Sequence, residues 1–97
     1  MSFKDSSNWN EKNELKAFVI FQKLKKVGFP RGKQMELSRE MEKETNLDAG
    51  NINAKVSNYK SVAGINNNSN ASNDTKETYL KYKDYSIKKL EELIRKV

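Results

Sequence analysis

Two groups of side chains in this 97-residue chain have types and spacings that could do chemistry. The first is carboxylate. Glu36, Glu40 and Glu44 recur every four residues, which stacks them on one helical face, with Glu42 beside them. Carboxylates projecting together can hold a hard cation such as magnesium. Arg39 and Lys43 interleave with these, and no ligand comes from another segment, so the pattern reads as a solvated face and no metal site is expected.

The second group is amide and ammonium, on residues 49–60. If Ile52, Val56 and Tyr59 turn inward, the outward face of a helix there is centred on Gly50, Ala54 and Ser57. Asn51, Lys55 and Asn58 lie along one shoulder, Asn53 and Lys60 along the other. Small central residues let a helix sink into a major groove, asparagines pair with adenine edges, and lysines neutralise phosphate. Asn51, Asn53, Ser57 and Asn58 are therefore expected at base edges, and Lys55 and Lys60 at phosphates. Arg31 and Lys33, with Lys23, Lys25 and Lys26 around a Gly-Phe-Pro loop, extend the footprint to the backbone beside the groove. The plainer alternative is an ordinary solvated face in a chain rich in lysine and asparagine.

Much chemistry is excluded by what the chain lacks. It has no histidine and no cysteine, which removes the Ser-His-Asp and Cys-His triads, disulfides, zinc-finger ligand sets and the commonest general base. No cofactor is expected and no enzyme. The longest apolar run, residues 17–21, is too short for a membrane span or a signal-peptide core, so a cytoplasmic protein without a membrane partner is expected. The sequons at Asn67, Asn70 and Asn73 then reflect asparagine richness rather than glycosylation.

Charge is distributed unevenly. The net charge is +6, yet residues 49–73 carry two lysines and no acid, in a chain where about one residue in seven is acidic. That segment contains the proposed recognition helix. Apolar residues make up 35% of the chain, which predicts a thin core and leaves little room for an enclosed substrate cavity.

The elements that must position these residues follow from periodicity. Residues 1–8 read as a flexible leader, and residues 9–97 as a single domain. A first helix over residues 11–26 is apolar nearly all round, the mark of a central helix. Asn8, with Glu11 three residues on, or Asn10 alone caps it. Trp9 belongs to the core rather than to a base stack. Residues 28–32 break the pattern with Gly28, Pro30 and Gly32. A second helix over residues 33–45 pairs Leu37 with Met41 and is joined to the third by a three-residue turn, Asn46, Leu47 and Asp48. Asp48 caps that third helix, which runs from 49 to 59 or 60. Two helices across such a turn suit a helix-turn-helix. Residues 66–74 form an asparagine-rich loop, residues 74–83 a fourth helix with Tyr79 and Leu80 inward, and Ser86 caps a fifth carrying Ile87, Leu90, Leu93, Ile94 and Val97. Of Tyr79, Tyr82 and Tyr85, the first is expected to pack and at least one other to be plainly exposed. The fold expected is all-α and helix-turn-helix-like with about five helices, short strands around Phe29 and Ile65 (a minor β-hairpin) being the alternative.

Several blocks carry a family resemblance. The run NINAKVSNYKSV, a polar loop, and SNASNDTKETYLKYKDYSIKKLEELI resemble a small helical module of bacterial restriction proteins. Trp9, Glu11 and ELKAFVIFQKL, with Phe29-Pro30 and Lys33, resemble its opening, so the similarity spans most of residues 9–94. That module precedes HNH nuclease domains in some endonucleases, and a related one reads DNA in modification-dependent restriction enzymes. The resemblance implies DNA binding through Asn53, Lys55, Ser57, Asn58 and Lys60, with Tyr59 in the core. No His-Asn-His nuclease follows, so cleavage is not implied, and Ser61-Val62-Ala63-Gly64 replaces the module's Leu-Asp-Pro.

The function expected is thus a non-catalytic double-stranded DNA-binding domain from a restriction-related, phage or mobile-element system. The alternative is a small protein-binding inhibitor of a host defence nuclease; a net charge of +6 argues against mimicry of nucleic acid by such a protein. The oligomeric state is left open.

Overall fold

The structure is a computed structural model that describes residues 9–65 and 73–97. The leader expected at residues 1–8 and most of the asparagine-rich loop lie outside the described residues. Five helices follow in order: α1 (Glu11–Val27), α2 (Lys33–Glu42), α3 (Ala49–Val62), α4 (Asn73–Tyr82) and α5 (Ile87–Lys96). No strand occurs among the described residues, so the hairpin alternative is set aside and the fold is all-α.

Helix α1 is the hub. Asn10 caps it, its side chain accepting a hydrogen bond from the Asn13 N–H at 2.9 Å. Glu11 and Glu14 occupy its first turn and Lys25 and Lys26 its last, each matching the helix dipole. The other four helices all pack on it. That is why Leu15, Ala17, Phe18, Val19, Ile20, Phe21 and Leu24 are buried around most of its circumference. The helix stops at Gly28, whose φ of 82° is cheap only for glycine, and the Phe29 N–H closes the end on the Leu24 carbonyl at 2.8 Å.

The core is aromatic where α1 meets α3 and α4. The ring of Tyr59 lies 5.1 Å from that of Phe18 and 6.0 Å from that of Phe21, and Tyr79 meets Phe18 nearly edge-on at 6.3 Å. Such tilted contacts favour the ring quadrupoles beyond simple area burial. Trp9 packs against this core, as expected.

Three expectations about elements need correction. Helix α2 ends at Glu42 rather than Thr45, so the connection to α3 is residues 43–48, six residues instead of three. Beyond Glu42 the backbone tightens into i+3 hydrogen bonds, Lys43 to Glu40 and Glu44 to Met41. Thr45 Oγ1 then donates to the Met41 carbonyl and accepts from the Leu47 N–H, turning Leu47 into the core. Leu80 points outward, 65% exposed. Tyr82 is buried and Tyr85 half-buried, their rings perpendicular at 5.0 Å, so neither is a plainly exposed ring. The caps at Asp48 and Ser86 form as expected, accepting from the N–H groups of Asn51 and Lys89.

None of the described helices is long and apolar enough to cross a membrane.

Candidate nucleic-acid interface

The helix expected over residues 49–60 is α3, and it turns inward the side that its apolar residues imply, with one addition. Ile52, Val56 and Tyr59 are buried, and so is Lys55, which is only 7% exposed. The Lys55 ammonium donates to Glu14 Oε1 at 3.2 Å and to Thr75 Oγ1 at 2.9 Å, and lies 4.7 Å from the centroid of the Trp9 ring. Lys55 is therefore corrected from a phosphate contact to an internal cation. A charged side chain turns inward here because a carboxylate waits for it; burying an unpaired ammonium would cost far more than the helix could supply.

Glu14 sits at the centre of that arrangement. One of its oxygens accepts from Lys55, and the other accepts from the Tyr59 hydroxyl and, at 3.4 Å, from Thr75. All four residues are buried, and no buried side-chain oxygen or nitrogen among the described residues lacks a partner. Burial, reinforced by the negative charge of Glu14, holds the Tyr59 hydroxyl well above its ordinary pKa, so it stays protonated as a donor. Sequence reasoning passed over Glu14. Its signal was positional: residues 14, 18 and 21 share one stripe of α1, and a glutamate there must meet a donor from the element that covers Phe18 and Phe21.

The other candidates divide into three places. Asn51 is exposed at the start of α3, its amide donating to Asp48 Oδ2 at 3.2 Å. Gly50 and Ala54 are exposed beside it and form the small-residue centre of the free surface, with Asn53 and Asn58 half-exposed at its margins. Ser57 has turned toward α2. There Gln34 donates to Ser57 Oγ at 2.9 Å and to the Asn53 carbonyl at 3.0 Å, while its own carbonyl accepts from the Lys60 ammonium at 3.4 Å. Gln34 was not among the residues singled out from sequence. Nothing in local periodicity distinguishes a bridging glutamine from a solvated one.

Arg31 and Lys60 meet across a shallow hollow of about 210 Å³ at the start of α2, also lined by Phe29, Pro30, Gly32 and Gln34. The Lys60 ammonium lies 5.0 Å from the centroid of the Phe29 ring. Phe29 is the one non-glycine residue with positive φ (55°) among the described residues, a conformation held by its ring packing on Phe21. Lys33 is close in sequence but pairs with Glu36 at 3.6 Å.

The carboxylate row behaves as a solvated face: Glu36 pairs with Lys33, Glu44 with Lys16 at 3.2 Å, and no acidic group suited to a metal occurs among the described residues. A larger open groove, about 490 Å³, runs between α2 and α5 over Val19 and Ile20 of α1. Its rims carry the Lys16–Glu44 and Lys23–Glu91 ion pairs, which leave no sign dominant.

No known protein family, curated protein or solved structure matches this chain.

Proposed function

We propose that this domain binds double-stranded DNA without cleaving it, with the exposed stripe of α3 facing the major groove and Arg31, Lys33 and Lys60 facing phosphates. The observation that carries the reading is the run of small and amide residues Gly50, Ala54, Asn53 and Asn58 on α3 together with Lys60 and the acid-free Arg31 hollow, with the Asp48 carboxylate held at the N-cap beside Gly50. A helix with small residues at its centre can approach base edges closely, amides at its margins can read them, and flanking cations anchor the backbone. The contact set differs from that expected from sequence in two respects. Lys55 is excluded by burial, and Ser57 is engaged by Gln34. We further propose, on the resemblance of residues 9–94 to the restriction-protein module alone, a DNA-reading part of a restriction or phage-encoded system, or a free-standing regulator.

The test is titration of the whole chain into labelled duplex at low and moderate salt, with methylated and unmethylated duplexes in parallel. Binding that weakens steeply with salt is expected, and Ala54→Glu should abolish it while leaving the fold unchanged. A preference between the methylated and unmethylated duplexes would support kinship with modification readers. No binding at low salt, where phosphate attraction is strongest, overturns the reading and points to a protein partner, as an inhibitor of a defence nuclease would have.

A further inference from the structure

We infer that the hollow between Arg31 and Lys60 is a seat for a single phosphate group. Its lining carries two cations and no carboxylate, in a chain with thirteen acidic residues. Its two charges come from different elements, so the fold rather than local sequence brings them together. The side chains around the hollow also limit how Lys60 can move. Its ammonium is held between the Gln34 carbonyl at 3.4 Å and the face of the Phe29 ring at 5.0 Å. These contacts use one N–H for Gln34 and leave donors for an incoming anion. The Gln34 amide is fixed in turn by its bonds to Asn53 and Ser57, which orient its oxygen toward Lys60. A lysine restrained in this way loses less side-chain entropy on binding than a freely solvated one. Arg31 is exposed and supplies the planar fork suited to two phosphate oxygens.

The Phe29 conformation belongs to the same device. Gly28 and Phe29 both have positive φ, and this double reversal carries the chain from the end of α1 to the Arg31 turn. It places the Phe29 ring beneath Lys60. The seat extends the DNA reading without depending on it, because a backbone phosphate and a free phosphate present the same oxygens.

The experiment follows the backbone amides of the isotope-labelled full chain by NMR during titration with inorganic phosphate, against chloride at matched ionic strength. Saturable shifts are expected at residues 29 and 31–34 and at Lys60 with phosphate alone. Arg31→Gln and Lys60→Gln should each weaken phosphate binding by about tenfold, in keeping with loss of a charge-assisted hydrogen bond. Gln34→Glu keeps an acceptor for Lys60, gives up the donations to Asn53 and Ser57 and adds a carboxylate to the hollow, and should abolish phosphate binding while the spectrum beyond this contact shows an intact fold.

A duplex arm distinguishes the sources. Phosphate shifts that short duplex DNA displaces support the seat with a nucleic-acid backbone as its occupant. Phosphate shifts in a protein that binds no duplex support the seat with a free phosphate group and overturn the DNA reading. Duplex binding that is unchanged in Arg31→Gln and Lys60→Gln, without phosphate shifts at these residues, overturns the seat and leaves the DNA reading standing. Shifts that chloride reproduces equally well overturn it too.

Discussion

The Lys55 ammonium lies 3.2 Å from a Glu14 carboxylate oxygen, and both side chains are buried where α1, α3 and α4 meet. The pair joins the apolar side of α3, where Ile52, Val56 and Tyr59 are buried. It draws a cation expected at the surface into the interior, and leaves Gly50 and Ala54 at the centre of the exposed face.

Removing one partner of that pair should be far worse than removing both. Lys55→Ala leaves a buried carboxylate without its counter-ion and should cost about 3–5 kcal/mol of folding stability. The double replacement Glu14→Leu with Lys55→Met removes both charges and should recover most of the loss, although the Tyr59 and Thr75 hydroxyls then lose their acceptor. Urea denaturation of the two variants beside the unaltered protein measures this. A Lys55→Ala loss below about 1 kcal/mol would mean that the pair is solvated in solution.

Alkaline pH should unfold the domain through Tyr59. Its folded-state pKa lies well above the ordinary 10.0, raised first by burial and then by the charge of Glu14. The folded protein therefore keeps a proton that the unfolded chain releases. The contribution is fully present below pH 10 and is lost as pH rises from there toward the folded pKa, at about 1.4 kcal/mol per pH unit. Tyr59→Phe should flatten this part of the stability profile, whatever it does to stability at neutral pH. An equally steep alkaline decline in Tyr59→Phe would assign the effect to other groups.

Leu80 and Leu90 offer a direct contrast between two leucines that both look apolar by sequence. Leu90 is fully buried, and Leu90→Ala should cost about 2–5 kcal/mol. Leu80 is exposed, and Leu80→Ser should change stability by no more than about 0.5 kcal/mol. Thermal melts of the two variants suffice. A large loss for Leu80→Ser would place that side chain against an apolar surface in solution.

At Gly28 the cost of a side chain is conformational alone. Its φ is 82°, and a Cβ added there would meet nothing within 4 Å. Gly28→Ala should therefore destabilise by about 1–2 kcal/mol, the cost of a left-handed conformation in an L-residue. Gly28→Asn should lose less, since asparagine tolerates that region. Equal losses for Ala and Asn would point to a steric cause instead.

The helices were legible in the sequence because their signals are local. Asn10, Asp48 and Ser86 cap where their side chains can reach an N–H three residues on, and Gly28 ends α1 where only glycine turns left cheaply. The near-continuous apolar surface of residues 15–24 likewise announced a helix surrounded by others, and the structure surrounds it. The end of α2 was less legible, because residues 43–45 remain good helix formers and only the burial of Leu47 requires the chain to leave the helix.

The inward turn of Lys55 could not be read in this way. Hydrophobic periodicity puts a lysine outside by default, and Lys55 is inside only because Glu14, 41 residues earlier, Tyr59 and Thr75 enclose a site that solvates its charge. The hollow between Arg31 and Lys60 has the same origin, with Gln34 linking two helices that sequence treats separately. Sequence by itself determined the five helices, most of their caps and the central role of α1, since propensity, capping and periodicity act over a few residues. Tertiary structure alone decided which polar side chains face inward, because the energy of a buried charge depends on partners that arrive from distant parts of the chain.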